Sequence, residues 1–137
     1  MKTSFPYEVK PSVIFKFVRR PVVFVSFWSN KFNRFIRDTL IVDTGADYTI
    51  LPKYFSKVLG IDLEKDCISY ISKGIGGKEK VYVAKDKVAV MIGDVKREIP
   101  VGFLSHDDIP PLLGREECLN TFKLTLENFI TTFSSEE

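Results

Sequence analysis

The chain has 137 residues, 45% apolar and 28% charged, which suits one soluble globular domain burying roughly two-thirds of its unfolded surface and excludes a disordered one. Twenty Lys and Arg against 18 Asp and Glu leave a net charge of +2, so nothing points to a nucleic-acid partner. Two cysteines, Cys67 and Cys118, cannot build a disulfide framework. The single histidine, His106, cannot anchor a first-row metal site or a Ser–His or Cys–His nucleophile. No metal or cofactor is expected.

In chain order, "SVIFKFV" (12–18) and "PVVFVSFW" (21–28) alternate with period two and read as strands. The second is the longest apolar run and is too short to cross a bilayer. The opening "MKTSFPYEVKPSVIF" has no signal-peptide core, so a cytoplasmic product and no membrane association are expected. "SNK" turns the chain, and "FNRFIRDTLIV" (32–42) returns as a long strand. After Asp43-Thr44-Gly45-Ala46 comes the best helix candidate, "LPKYFSKVLG", with Pro52 in its first turn and Gly60 to close it. "DCISYIS" and "KVYVAKD" flank the glycine-rich "KGIGGK" as a hairpin. "KVAVMIGDVKREIPVGFL" makes another around Gly93-Asp94, "REECLNTF" suggests a second short helix, and "KLTLENFI" a last strand. The final "FSSEE" reads as a frayed tail. The whole is mainly β, with strand edges to be closed by a barrel or a partner chain.

The chemistry sits at "LIVDTGADYTIL". Leu40, Ile41 and Val42 run into Asp43, and a carboxylate at the end of an apolar strand is costly unless something holds it. Two such carboxylates facing each other can share one proton: one stays charged and draws a proton from a water, while the other donates to a carbonyl oxygen. Gly45 leaves room for its N–H to reach a carboxylate oxygen, and the Thr44 hydroxyl can lock the turn. By itself the tripeptide is equally an ordinary loop cap. "GIGGKEK" is no phosphate loop, because Ser72 stands in place of its first glycine and Glu79 in place of its hydroxyl.

Three ordered motifs add weight. "IVDTGADYTIL" resembles, along its whole length, the active-site motif of the retropepsins, the retroviral-type aspartic proteases. "KGIGGKEKV" resembles their flap, and "IPPLLGREECL" their second signature; "RPVVFVSF" and "LTLENFI" are similar to flanking segments, so the likeness covers residues 19–129. It implies a single-domain, closed β-barrel with one or two short helices and a flap hairpin, preceded by an extension at 1–18 and followed by a tail at 130–137. It further implies that Asp43 is catalytic, that Thr44 grips its counterpart across a dimer and that Gly45 bonds substrate backbone. Ala46, Asp47, Tyr48, Gly74, Ile75, Gly76 and Gly77 would contact substrate. Leu113, Gly114 and Arg115 would support the site, Arg115 through a buried ion pair to Asp47, and Arg20 would reach the partner chain's Asp47. Because only one Asp-Thr-Gly is present, the second aspartate has to come from an identical chain on a two-fold axis. The expected protein is therefore a homodimeric aspartic endopeptidase acting on peptides or proteins. A catalytically weak peptide-binding or assembly module is the alternative.

Overall fold

The computed structural model describes residues 1–74 and 77–137. Strands β1 (Lys2–Pro6), β2 (Glu8–Ser12), β3 (Lys16–Arg20), β4 (Val22–Ser29) and β5 (Arg34–Val42) lead to the Asp43 turn. Beyond it lie β6 (Thr49–Leu51), the helix α1 (Tyr54–Leu59), β7 (Cys67–Gly74), β8 (Gly77–Ala84), β9 (Val88–Ile92), β10 (Val95–Ile99) and β11 (Val101–Leu104). The chain ends through β12 (Leu112–Leu113), a 3-10 turn at Leu119–Thr121, β13 (Lys123–Glu127) and β14 (Ile130–Ser134).

Nine strands form one sheet in the order β10-β9-β4-β5-β12-β6-β11-β8-β7. Among the described residues this order has two ends, β10 and β7, where the sequence suggests a closed barrel. The β10 edge is blunted by side-chain contacts. Arg97 donates from Nε to the Thr121 hydroxyl at 3.0 Å and from Nη1 to Glu137 at 2.9 Å, and such cover discourages pairing with foreign strands. The core is one cluster running from Val23, Val25 and Phe27 of β4 through Leu40, Leu51, Phe103 and Leu113. Phe27 and Phe103 are fully buried, each contributing about 1.5–3 kcal/mol relative to exposure.

Three expectations need correction. The stretch 12–18 is not one strand, because Val13, Ile14 and Phe15 form the turn between β2 and β3. The helix proposed in "REECLNTF" shrinks to its last turn, since Glu117 takes a left-handed φ of 53° and breaks the helical path. The tail is not frayed: β14 lies between β1 and β13. Its alternate residues Thr131 and Phe133 are fully buried, with Phe133 edge-on to Phe5 and Phe122. α1 forms as expected, with Gly60 in the left-handed conformation at its end. Its first turn is capped from a distance, the Tyr54 N–H donating to Asp107 Oδ1 at 2.8 Å. No helix among the described residues is long and apolar enough to cross a membrane.

Candidate active site

β5 delivers Asp43 to the middle of the sheet. β12 inserts between β5 and β6, parallel to β5 (Leu112 beside Ile41, Leu113 beside Val42) and antiparallel to β6 (Leu112 beside Ile50). The Asp43 N–H donates to the Leu113 carbonyl at 3.0 Å, Ile41 N–H to Pro111 at 3.0 Å, and Val42 N–H to Pro21 at 2.9 Å. The turn itself is closed by Ala46 N–H donating to the Asp43 carbonyl at 3.1 Å. These bonds fix the backbone on both sides of the carboxylate without using the carboxylate itself.

Asp43 is half-buried, and its Oδ1 accepts from the Gly45 N–H at 3.0 Å. A Cβ on residue 45 would stand 3.3 Å from that oxygen, which explains the glycine. Thr44 and Gly45 are exposed. Among the described residues Asp43 has no ion-pair partner within the chain.

The second signature holds the far side of the turn. Arg115 N–H donates to the Ala46 carbonyl at 3.0 Å and Glu116 N–H to the Asp47 carbonyl at 2.7 Å. The Arg115 guanidinium reaches Asp47 Oδ1 at 2.6 Å and the Thr44 carbonyl at 3.3 Å. The pairing is present but it is not buried: the Asp47 side chain is 84% exposed and that of Arg115 43%. It lies on the rim of the cleft, so solvent screens it and it contributes about 0–1 kcal/mol. Gly114 is required by close approach, since a Cβ there would stand 2.2 Å from the Tyr48 carbonyl carbon. Its N–H donates to the buried Thr49 hydroxyl at 3.1 Å.

Sequence reasoning singles out Tyr48 beside Asp47 but not the residues that join it. Tyr48, Tyr70, Val83 and Pro100 line a largely apolar cavity of about 430 Å³ with Asp47 and Glu116 at its mouth. Tyr48 lies against Gly102, where a Cβ would come within 2.7 Å of its ring. Burial, then the Asp47 charge, then Tyr70, push the Tyr48 phenol above its ordinary range, so it presents a neutral hydroxyl to the cleft. The available signal is alternation, because Ile68, Tyr70 and Ser72 share one face of β7.

β7 and β8 pair in full register from Cys67 with Ala84 to Gly74 with Gly77. Ile75 and Gly76, expected at the tip, lie outside the described residues. On β8, Glu79 bonds His106 Nε2. The other ring nitrogen, Nδ1, accepts from the Asp108 N–H at 3.1 Å, so the loop after β11 is tied to the hairpin. Arg20 stays within its own neighbourhood, its Nη2 lying 3.8 Å from Glu8. No group of three or more His, Cys, Asp or Glu among the described residues is placed to hold a metal ion.

A family model described as aspartyl protease matches residues 35–116, more than half of the chain, from within β5 into the second signature. The chain belongs to that family. The fold is also similar to a solved structure titled a retropepsin-like aspartic protease from Rickettsia conorii. That match has a TM-score of 0.60 and 22% identity, and it covers 84% of this chain and 98% of the other. No curated protein matches the chain. The matched stretch contains Asp43 and the β5–β12–β6 arrangement around it.

Proposed function

We propose that this aspartyl protease is an endopeptidase whose reactive centre is completed by a second copy of the chain. The observation that carries the reading is the lone Asp43. A half-buried carboxylate, oriented by one backbone N–H, opens the only Asp-Thr-Gly in the sequence. One carboxylate cannot act as base and acid in the same step. Two on a two-fold axis can, because like charges at short range leave one protonated and one ionised.

The ionised member takes a proton from a water lying between the two. That water attacks the scissile carbonyl carbon while the protonated member donates to the carbonyl oxygen. Collapse of the tetrahedral intermediate breaks the C–N bond, and the amine leaves with a proton from the dyad. Thr44 faces the partner's turn, and Gly45 bonds substrate main chain. Asp47, Tyr48 and the cavity bounded by Tyr70 receive a substrate side chain beyond the cleavage point. The β7–β8 hairpin closes over the peptide and keeps bulk water out.

The test compares wild type with Asp43→Asn on a diverse peptide library, with and without pepstatin. Cleavage by wild type, blocked by pepstatin and at least about 10⁴-fold weaker in Asp43→Asn, is expected, with the fold unchanged by circular dichroism. Peptide binding without cleavage in both proteins would replace the protease with a binding module.

A further inference from the structure

Large apolar side chains are unevenly spread over the surface. Val13, Ile14 and Phe15, which make the turn between β2 and β3, have relative exposures of 106%, 82% and 71%. A hairpin turn ordinarily carries Gly, Asn, Asp or Ser. Three consecutive bulky apolar residues there keep most of their surface in solvent and form the kind of patch that marks an interaction site. The turn is nevertheless well built: Phe15 N–H donates to the Ser12 hydroxyl at 3.1 Å and Phe17 N–H to the Phe15 carbonyl at 2.8 Å. Among the described residues β2 and β3 pair only with each other, and an isolated two-stranded ribbon is marginal in water.

Along the same ribbon, from Val9 and Arg19 to Phe17 near the tip, runs a groove of about 410 Å³ that Phe129 completes. Its three apolar residues are all more than half exposed. Phe129 is held in place by Tyr7 edge-on at 5.9 Å and by the Arg19 guanidinium 4.4 Å above its ring. One chain thus carries an apolar knob at the tip of a ribbon and an apolar groove along it. Because β2 and β3 are paired right up to the turn, the tip cannot fold back into the groove of its own ribbon. Two copies related by a two-fold axis can exchange them, each knob filling the other's groove.

We propose that the β2–β3 hairpin is a dimerisation arm: the Val13-Ile14-Phe15 tip of one copy seats in the groove formed by Val9, Phe17 and Phe129 of a second copy, and the reverse. This rests on the homodimer of the preceding subsection and adds the surface that holds it. The arm stands in the right place. β3 continues through Arg20 and Pro21 into β4, and the Pro21 carbonyl accepts from Val42, one residue before Asp43. Arg20, at the junction, has its Nε buried with no hydrogen-bond partner among the described residues. A lipid surface would use the tip, flanked by Lys10 and Lys16, but would leave the groove without a purpose. A second copy uses both.

Sedimentation velocity of the full chain, from nanomolar to micromolar concentration, tests this with the Ile14→Asp/Phe15→Asp variant. Both side chains are solvent-exposed, so the variant should melt like wild type. Dimerisation should weaken by roughly tenfold or more, and peptide cleavage should disappear at low protein concentration and return at high. As a second readout, an Ile14→Cys chain is mixed with a differently tagged Phe129→Cys chain and a bismaleimide. A crosslinked heterodimer is expected. Burial pushes the native Cys67 and Cys118 thiols up to about 11 and about 12, which keeps them silent. Wild-type dimerisation by the double-Asp variant, a dimer that gives no crosslink, or a wild-type chain monomeric throughout would overturn the arm. So would variant loss of binding to phosphatidylserine vesicles with dimerisation unchanged, which would assign the tip to lipid. An arm-held dimer that cleaves no peptide sinks the protease reading alone, and cleavage with a dispensable tip sinks the arm alone.

Discussion

Around Asp43 the backbone is tied to segments distant in sequence. Asp43 is bonded to Leu113, Ile41 to Pro111 and Ala46 to Arg115, with Leu113, Gly114 and Thr49 buried beneath. The β7–β8 hairpin, across the same cleft, joins the sheet through β8 alone, and its outer strand exposes Ile68, Tyr70 and Ile71. One region has no local freedom, while the other has few buried contacts to lose when it moves. Chemistry needs a carboxylate fixed to within a fraction of an ångström, whereas substrate entry needs a cover that opens. Under the proposed function, the two duties fall to strands that share one sheet.

Gly114→Ala attacks the fixed region and should have the largest effect. Its Cβ would meet the Tyr48 backbone at 2.2 Å, leaving no room for accommodation by a side chain. A loss of upwards of about 4 kcal/mol is expected, measured as a collapse of the urea midpoint. A stable Gly114→Ala protein would show that the β12 insertion is looser than its hydrogen bonds indicate.

Alkali reaches the same region through Cys118, whose N–H donates to the Arg115 carbonyl at 3.1 Å. Burial raises its thiol from the ordinary value of 9.0 to about 12, against a smaller opposing effect of Arg97. Because the folded value is the higher one, the stabilisation is complete below pH 9 and is lost as pH climbs from 9 towards 12. By pH 11 roughly 3 kcal/mol should be gone. Cys67, raised to about 11 chiefly by burial, adds to the same trend. Thermal melting at pH 8 and pH 11, repeated with Cys118→Ala, checks the assignment; the alkaline drop should shrink in the variant.

Gly77→Ala probes the cover and should have the smallest effect. Gly77 has a φ of 111° and open space around its Cβ position, so the penalty is conformational, about 1 kcal/mol. It should fall on hydrogen exchange within β7–β8 and on kcat, while the global melting temperature barely moves. A Tm loss as large as that of Gly114→Ala would erase the contrast.

Much of this was legible before any coordinates. Period-two alternation marks β4, β5 and the β7–β8 and β9–β10 hairpins, and Pro52 and Gly60 bracket α1. The apolar run into Asp43-Thr44-Gly45 locates the candidate site. What stayed hidden has physical reasons. β12 is two residues long and carries no period, and its place between β5 and β6 is decided by partners some seventy residues away in sequence. β14 reads as polar because only Thr131 and Phe133 turn inward. The Arg115–Asp47 pair follows from the motif, but its exposure does not, since spacing says nothing about solvent. Glu117 ends the predicted helix through a backbone conformation that its side-chain type disfavours.

The bond from the Asp43 amide to Leu113 has a consequence for biosynthesis. A nascent polypeptide that has emerged past residue 43 but not past 113 owns the catalytic letters without the scaffold that aims them. On the proposed function, hydrolytic competence would therefore arrive only after nearly the whole domain has condensed.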